Sequence, residues 1–184
     1  MVTAYLVFLA LFGVERVAEL VLSRRNARIA LSRSGVESGA THFRWMAAVH
    51  ALFLPACAAE VLLLHRPFPG ALGWACAAAA VCAQILRWWA IRSLGWRWNV
   101  RVIVVPGEPP VRKGPYRFLR HPNYLAVAVE MLCVPLAHGA FLCALAFSLV
   151  NLALLRVRVR IEEQALGPSW EREFSGVPRF VPHG

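Results

Sequence analysis

Five apolar stretches take up most of this chain, and the longer connections between them are rich in arginine. They run from Val2 to Leu22, Phe43 to Leu64, Phe68 to Ile91, Tyr124 to Ala137 and Gly139 to Leu155. A helix crosses the roughly 30 Å of bilayer hydrocarbon with about 20 apolar residues, so runs of this length read as crossings. Composition agrees, since 59% of the residues are hydrophobic and 16% charged, against about 45–50% and 25% in soluble domains. Within 184 residues there is room for four or five crossings and no large extramembrane domain. We expect an all-α integral membrane protein of about five transmembrane helices. It forms a single domain over 1–184, with a three-helix part over 1–91 and a second part over 92–184.

The first run is too long for a signal-peptide core and no small-residue cleavage site follows it, so it is kept as a helix. The polar stretch Ser23 to Thr41 reads as the next loop. His65-Arg66-Pro67 is so short that the runs it joins must be antiparallel neighbours. Arg92 to Pro122 separates this half from a second hairpin turning near His138 and Gly139, whose first helix is short and so tilted or completed by flanking residues. With five crossings, sixteen basic residues fall on one side and Arg66 alone in a loop on the other. The positive-inside rule then places the amino terminus outside and the carboxyl terminus in the cytoplasm of a multi-pass cell-membrane protein. A net charge of +10 would point a soluble protein toward nucleic acid. Here the cations flank apolar runs, so their partner is the lipid bilayer and nucleic acid is set aside; protein partners are not readable. The five cysteines all lie in apolar runs and read as small buried hydrophobes.

Ionisable residues within the runs are Glu15, Arg16, Glu19, His50, Glu60, Arg87 and Glu130. A charge at bilayer depth costs at least about 2.5 kcal/mol on insertion scales, so these face the bundle interior or pair. Glu15 and Glu19 share a helical face and have Arg16 or Arg87 as partners, while Glu60 and Arg87 sit near enough to helix ends to snorkel. They mark a polar interior without naming a reaction.

Two further clusters carry more. The first is Lys113-Gly114-Pro115-Tyr116-Arg117-Phe118-Leu119-Arg120-His121-Pro122-Asn123-Tyr124, which its prolines keep out of continuous helix just before the chain enters the membrane. Pro122 suits the first turn of the next helix, whose free N–H groups favour an anion. An interfacial belt of Tyr and Arg is the plainer reading. The second cluster follows the last apolar run: Arg156, Arg158, Arg160, Glu162, Glu163, Leu166, Trp170 and Phe174. If the helix continues, Arg156, Arg160 and Glu163 line one face and Arg158 pairs with Glu162 on another. That is either a salt-bridged extension or two carboxylates placed at the membrane exit for a cationic ligand or ribose hydroxyls.

Taken jointly, Arg120-His121-Pro122-x-Tyr124, a short hairpin, Glu162-Glu163-x-x-Leu166 and the closing Val177-Pro178-Arg179-Phe180-Val181-Pro182 resemble the isoprenylcysteine carboxyl methyltransferase family, over the chain from Leu94 onward. Trp98-Asn99 before a short strand-like stretch and Lys113-Gly114-Pro115-Tyr116-Arg117-Phe118, with Glu19, Arg25-Asn26 and His42 in the first half, are more similar still to a bacterial branch, encoded with type III polyketide synthases, that methylates alkylpyrones or alkylresorcinols. Many members carry Gly two residues after the motif Tyr, where this chain has Ala126, so a backbone approach there is slightly looser.

The resemblance implies S-adenosylmethionine as methyl donor, in a cytoplasmic pocket made by the central segment and the tail. It implies Tyr116, Arg120, His121, Pro122, Tyr124, Glu162, Glu163 and Trp170 as the cofactor-binding set, and Arg160, Glu163 and His121 nearest the reaction. Arg120 with His121 suits the methionyl carboxylate, Glu162 or Glu163 the amino group and ribose, and Tyr116, Tyr124 or Trp170 the adenine or the sulfonium. Arg160 is expected to position an acceptor anion. A lipophilic acceptor with an acidic oxygen needs no base, whereas a phenol needs His121 or a membrane-facing Glu; no metal is expected. The implied function is O-methylation of a membrane-partitioned acceptor such as an alkylpyrone. Alternatives are a prenylcysteine carboxyl methyltransferase, a phospholipid N-methyltransferase, an NADPH-dependent sterol-type reductase, which normally has more helices than this length supplies, and a non-catalytic scaffold.

Overall fold

The computed structural model describes residues 1–180; Val181 and Pro182, which end the tail motif, lie outside them. Five helices carry the chain: α1 (Val2–Ser32), α2 (Ala40–Leu63), α3 (Ala71–Leu94), α4 (Pro122–Leu136) and α5 (Phe141–Glu173). Three of them, α2, α3 and α5, are long and apolar enough to cross a membrane. At 1.5 Å per residue α4 is only about 22 Å long, shorter than the hydrocarbon layer. Large apolar side chains face outward all around the bundle, including Leu11, Ile85 and Leu145 at 64%, 65% and 63% exposed. Water would not tolerate so continuous an apolar surface, and lipid does. This is a membrane protein.

The helices meet in a core of Tyr5, Leu9 and Phe12 from α1, Phe53, Cys57 and Val61 from α2, Cys76 and Ala80 from α3, and Val127, Met131 and Val134 from α4. Cys57, Cys76 and Cys143 are buried as expected, but Cys82 is exposed on the outer face and Cys133 is half-buried.

One expectation about a segment is corrected. The Ser23–Thr41 stretch is not a loop as a whole, because α1 continues to Ser32. Its arginines mislead, since Arg24, Arg25 and Arg28 point outward while Ser23, Asn26, Ala27 and Ala30 form a buried helical stripe. The chain is helical as expected apart from a small antiparallel ladder of Val36–Ser38 (β1) and Val102–Val104 (β2), with Glu37 opposite Ile103, whose second strand is the strand-like stretch expected after Trp98-Asn99. Asn26 ties the two halves together by donating to the Gly95 and Trp98 carbonyls at 3.2 and 2.8 Å. Asn99 returns the contact to the Ser23 carbonyl at 3.1 Å. Side-chain amides thus satisfy backbone groups that a turn between helix and strand would leave unpaired.

Glu60 and Arg87 do not snorkel. Glu60 accepts from the Leu142 and Cys143 backbone N–H groups at 3.1 and 2.7 Å and pairs with Arg66. It therefore supplies the cap and the negative charge that the start of α5 lacks in its own sequence. Arg87 is 4% exposed and turned into the bundle.

Candidate functional site

The apolar part of α5 ends at Leu155, and from there the helix leaves the membrane with Leu155, Arg158 and Val159 on its buried face and Arg156, Val157 and Arg160 exposed. At Gly167 the helix breaks with φ +75, and Pro168, which has no N–H to donate, starts its last turn. The kink folds the tail back, so that Trp170, Phe174 and Val177 pack on Tyr116 and Ala90.

The tail and the central segment are stitched along their backbones. Arg120 N–H donates to the Pro178 carbonyl at 2.9 Å and His121 N–H to that of Arg179 at 3.2 Å. The Arg120 guanidinium donates to the carbonyls of Val177 and Ser175 at 2.6 and 3.3 Å. Expected to hold a carboxylate, Arg120 is instead largely committed to the tail, with Trp170 5.8 Å away as a cation–π neighbour.

His121 is buried between the two adjacent carboxylates. Its Nε2 lies 3.1 Å from Glu163 and its Nδ1 3.8 Å from Glu162. Arg179 grips Glu163 with two hydrogen bonds of 2.9 and 2.6 Å. Burial alone would raise the Glu163 carboxyl, but hydrogen bonds from His121 and Arg179 outweigh it and hold the group at about 2. Burial, then the neighbouring Glu162 carboxylate, pushes the Tyr116 hydroxyl well above its ordinary range, so it stays a neutral phenol.

A second chain of contacts runs beside the first. The Tyr124 hydroxyl donates to Glu162 and accepts from Arg158 Nε at 2.9 Å. Arg158 also donates to the Val100 carbonyl at 2.8 Å, joining α5 to the segment before β2. The expected direct pairing of Arg158 with Glu162 is thus relayed through a tyrosine. Pro122 opens α4, as its fixed φ favours, and the His121 and Tyr124 rings stack at 5.4 Å.

These residues wall one end of a cavity of about 980 Å³. Tyr116, Arg120, His121, Tyr124, Glu162 and Trp170 line it, so the structure brings six of the expected residues to one space. Pro122 and Glu163 stand behind this lining, and Arg160 is exposed and away from it. The cation on the wall is Arg158, which reading Arg156, Arg160 and Glu163 as one face overlooked. A signal was present: Leu155, Arg158, Val159, Glu162 and Leu166 follow helical spacing from the last apolar residues, which puts Arg158 inside and Arg160 outside. Arg179 was likewise read only as part of the closing motif.

At the other end the cavity reaches the membrane charges. Arg16, Glu19, His50 and Arg87 line it together with Leu20, Phe43, Met46 and Ala47. Arg87 Nε lies 3.1 Å from Glu130 and 3.5 Å from Glu19. Arg16 pairs with Glu15 at 2.5 Å and Glu19 at 3.0 Å, and donates to Gln84 at 2.8 Å. The site is one space with a polar end beyond the apolar part of α5 and a charged, apolar-walled end among the apolar helices.

The uncharacterized protein YpbQ of Bacillus subtilis (strain 168) is 39% identical over 158 residues, covering 86% of this chain and 94% of that protein. The model of the isoprenylcysteine carboxyl methyltransferase (ICMT) family matches residues 75–168, which span Arg87, the His121 motif and both adjacent glutamates. It is a family of membrane methyltransferases that use S-adenosylmethionine. The chain belongs to the isoprenylcysteine carboxyl methyltransferase family.

Proposed function

We propose that the chain transfers the methyl group of S-adenosylmethionine to an oxygen of a lipophilic acceptor that reaches it from the bilayer. The observation that carries this reading is the single cavity running from the His121, Tyr124 and Glu162 cluster to the apolar wall of α1 and α2. Beside Glu19 Oε1 at the other end, two buried polar atoms on its lining residues have no hydrogen-bond partner among the described residues, the donor Arg158 Nη1 and the acceptor Asn123 Oδ1. Buried polar atoms are normally satisfied, so this pair fits a ligand carrying both a carboxylate and donor groups, as S-adenosylmethionine does. Arg158 would hold the carboxylate, Glu162 the amino group or ribose hydroxyls, and the Tyr116 and Trp170 rings the flat base. His121, Glu163 and Arg179 keep that wall in place. When bound, the cofactor supplies an electrophilic methyl group on a sulfonium, whose transfer depends on alignment and exclusion of water.

The acceptor class we infer is a long-chain polyketide such as an alkylpyrone. Its support is the resemblance in Trp98-Asn99 and Asn26 together with an apolar wall of Leu20, Phe43, Met46 and Ala47 that suits an acyl tail. Each buried methylene adds about 0.8 kcal/mol, so turnover rises with tail length until the groove is full. Five crossings with the amino terminus outside put the cofactor end in the cytoplasm, where the donor is made; the arginine asymmetry supports that orientation.

The deciding experiment titrates S-adenosylmethionine, S-adenosylhomocysteine and NADPH onto detergent-purified protein. It then compares kcat/KM for short- and long-chain 4-hydroxypyrones, a farnesylcysteine analogue and phosphatidylethanolamine. Binding of the first two nucleosides and a preference for the long pyrone are expected. Binding of NADPH alone refutes the methyltransferase reading, and turnover confined to the farnesyl or lipid substrate refutes the acceptor class.

A further inference from the structure

His50 sits in the membrane end of the cavity, and its hydrogen bond defines which nitrogen is free. Nδ1 lies 2.8 Å from the Met46 carbonyl, one turn back on α2. A carbonyl oxygen only accepts, so Nδ1 carries the proton and Nε2 is left as a bare acceptor. The surrounding charges come from three other helices: Glu15, Arg16 and Glu19 on α1, Arg87 on α3 and Glu130 on α4. Three carboxyls here face two guanidiniums, and both guanidiniums are already paired. Glu19 is 3% exposed, lines the cavity, and its Oε1, 3.5 Å from Arg87 Nε, accepts no hydrogen bond among the described residues. Among the described residues, this end of the cavity therefore offers acceptors and no free cation. A hydroxyl head group would find two acceptors there.

We propose that this is the head-group site for a neutral hydroxyl of the acceptor, and that His50 Nε2 takes its proton as methyl transfer occurs. The inference rests on the reading of the chain as a lipophilic O-methyltransferase and adds to it a site, a residue and a substrate acidity. The O–H bond breaks and its proton goes to Nε2. The oxygen electron pair forms the new O–CH3 bond, while the carbon–sulfur bond breaks and its pair stays on sulfur. One positive charge is present before and after, first as sulfonium and then as imidazolium. Such a base is needed for a phenol or weakly acidic enol, with a pKa of about 10 in the phenol case, and not for an acceptor already ionised at neutral pH.

The test compares wild type with H50Q on a long-chain 3-alkylphenol and on a 4-hydroxypyrone of the same chain length. General-base loss is expected to lower kcat on the phenol by about 100-fold or more while leaving the pyrone within about threefold. Binding of the alkylphenol in the presence of S-adenosylhomocysteine should stay within tenfold of wild type, which shows that the variant is folded and its site present. Wild type alone gives a second readout, a solvent deuterium isotope effect on the phenol and none on the pyrone. Equal losses on both acceptors, or a wild type that methylates the pyrone and not the phenol, overturns the assignment of His50 while the methyltransferase reading stands. Turnover of neither acceptor overturns the acceptor class itself, and with it this inference.

Discussion

Replacing Arg87 should be among the most damaging single changes in the bundle, and the size of the effect follows from counting charges. In the native protein three carboxyls, Glu15, Glu19 and Glu130, face Arg16 and Arg87, and Arg87 is 4% exposed and in contact with Glu130 and Glu19. Arg87→Met leaves three carboxyls against Arg16 alone. Breaking a buried pair from one side costs about 3–5 kcal/mol, because the remaining charge has neither partner nor water. The double variant R87M/E130L removes both members and returns the cluster to one carboxyl in excess, the native balance, with Arg16 still 3.0 Å from Glu19. Apolar replacement of a whole buried pair is often close to neutral, so the double variant should lie within about 1 kcal/mol of wild type. The coupling energy between the two positions should then be about 2 kcal/mol or more. Unfolding in mixed dodecylmaltoside and SDS micelles, followed by tryptophan fluorescence, measures all four corners of the cycle. If R87M costs less than about 1 kcal/mol, or the two single losses simply add, the pair is not the buried, mutually dependent unit described above.

Three further outcomes are expected. Arg158→Ala should weaken S-adenosylhomocysteine binding at least about tenfold, the value of one charge-assisted hydrogen bond, while Arg160→Ala stays within about twofold; calorimetry that found the reverse order would return the cation's role to Arg160. Because the folded Glu163 carboxyl is held at about 2, below the ordinary value of about 4.3, its contribution to stability is complete above 4.3 and is lost as pH falls toward 2. The Tm gap between wild type and E163Q should accordingly narrow as pH drops through that window, and a gap independent of pH contradicts the His121 and Arg179 contacts. Gly114→Ala should cost about 1–3 kcal/mol, since its φ of +54 disfavours a side chain and an added Cβ would sit 2.0 Å from Ser93 Oγ. A Ser93→Ala background should recover only part of the steric cost, because Trp89 Nε1 and Ser93 Cβ would still lie 2.9 and 3.1 Å from the added Cβ, and it should leave the backbone part, as read from the same micelle unfolding curves.

The helices were legible in the sequence because a bilayer imposes a length and an apolarity that composition displays directly. Phe43 to Leu64 became Ala40–Leu63, and the short fourth run became the 15-residue α4. Joint spacing of Arg120-His121-Pro122-x-Tyr124 and Glu162-Glu163 was likewise enough to point to the family, since both motifs are local strings. What tertiary structure decided is the direction in which polar side chains face and which of them meet. Ser23 and Asn26 looked like loop residues, yet they are helical, because partners more than sixty residues away on Gly95, Trp98 and Asn99 satisfy them. Glu60 looked like a snorkelling end residue, but the start of α5, brought against it by folding, leaves N–H groups that only a distant carboxylate reaches. Arg158 and Arg160 are two residues apart and chemically identical, so composition cannot rank them. A helix turns about 200° over two residues, and the packing of α5 against Tyr124 and Val100 sends one cation into the cavity and the other outward.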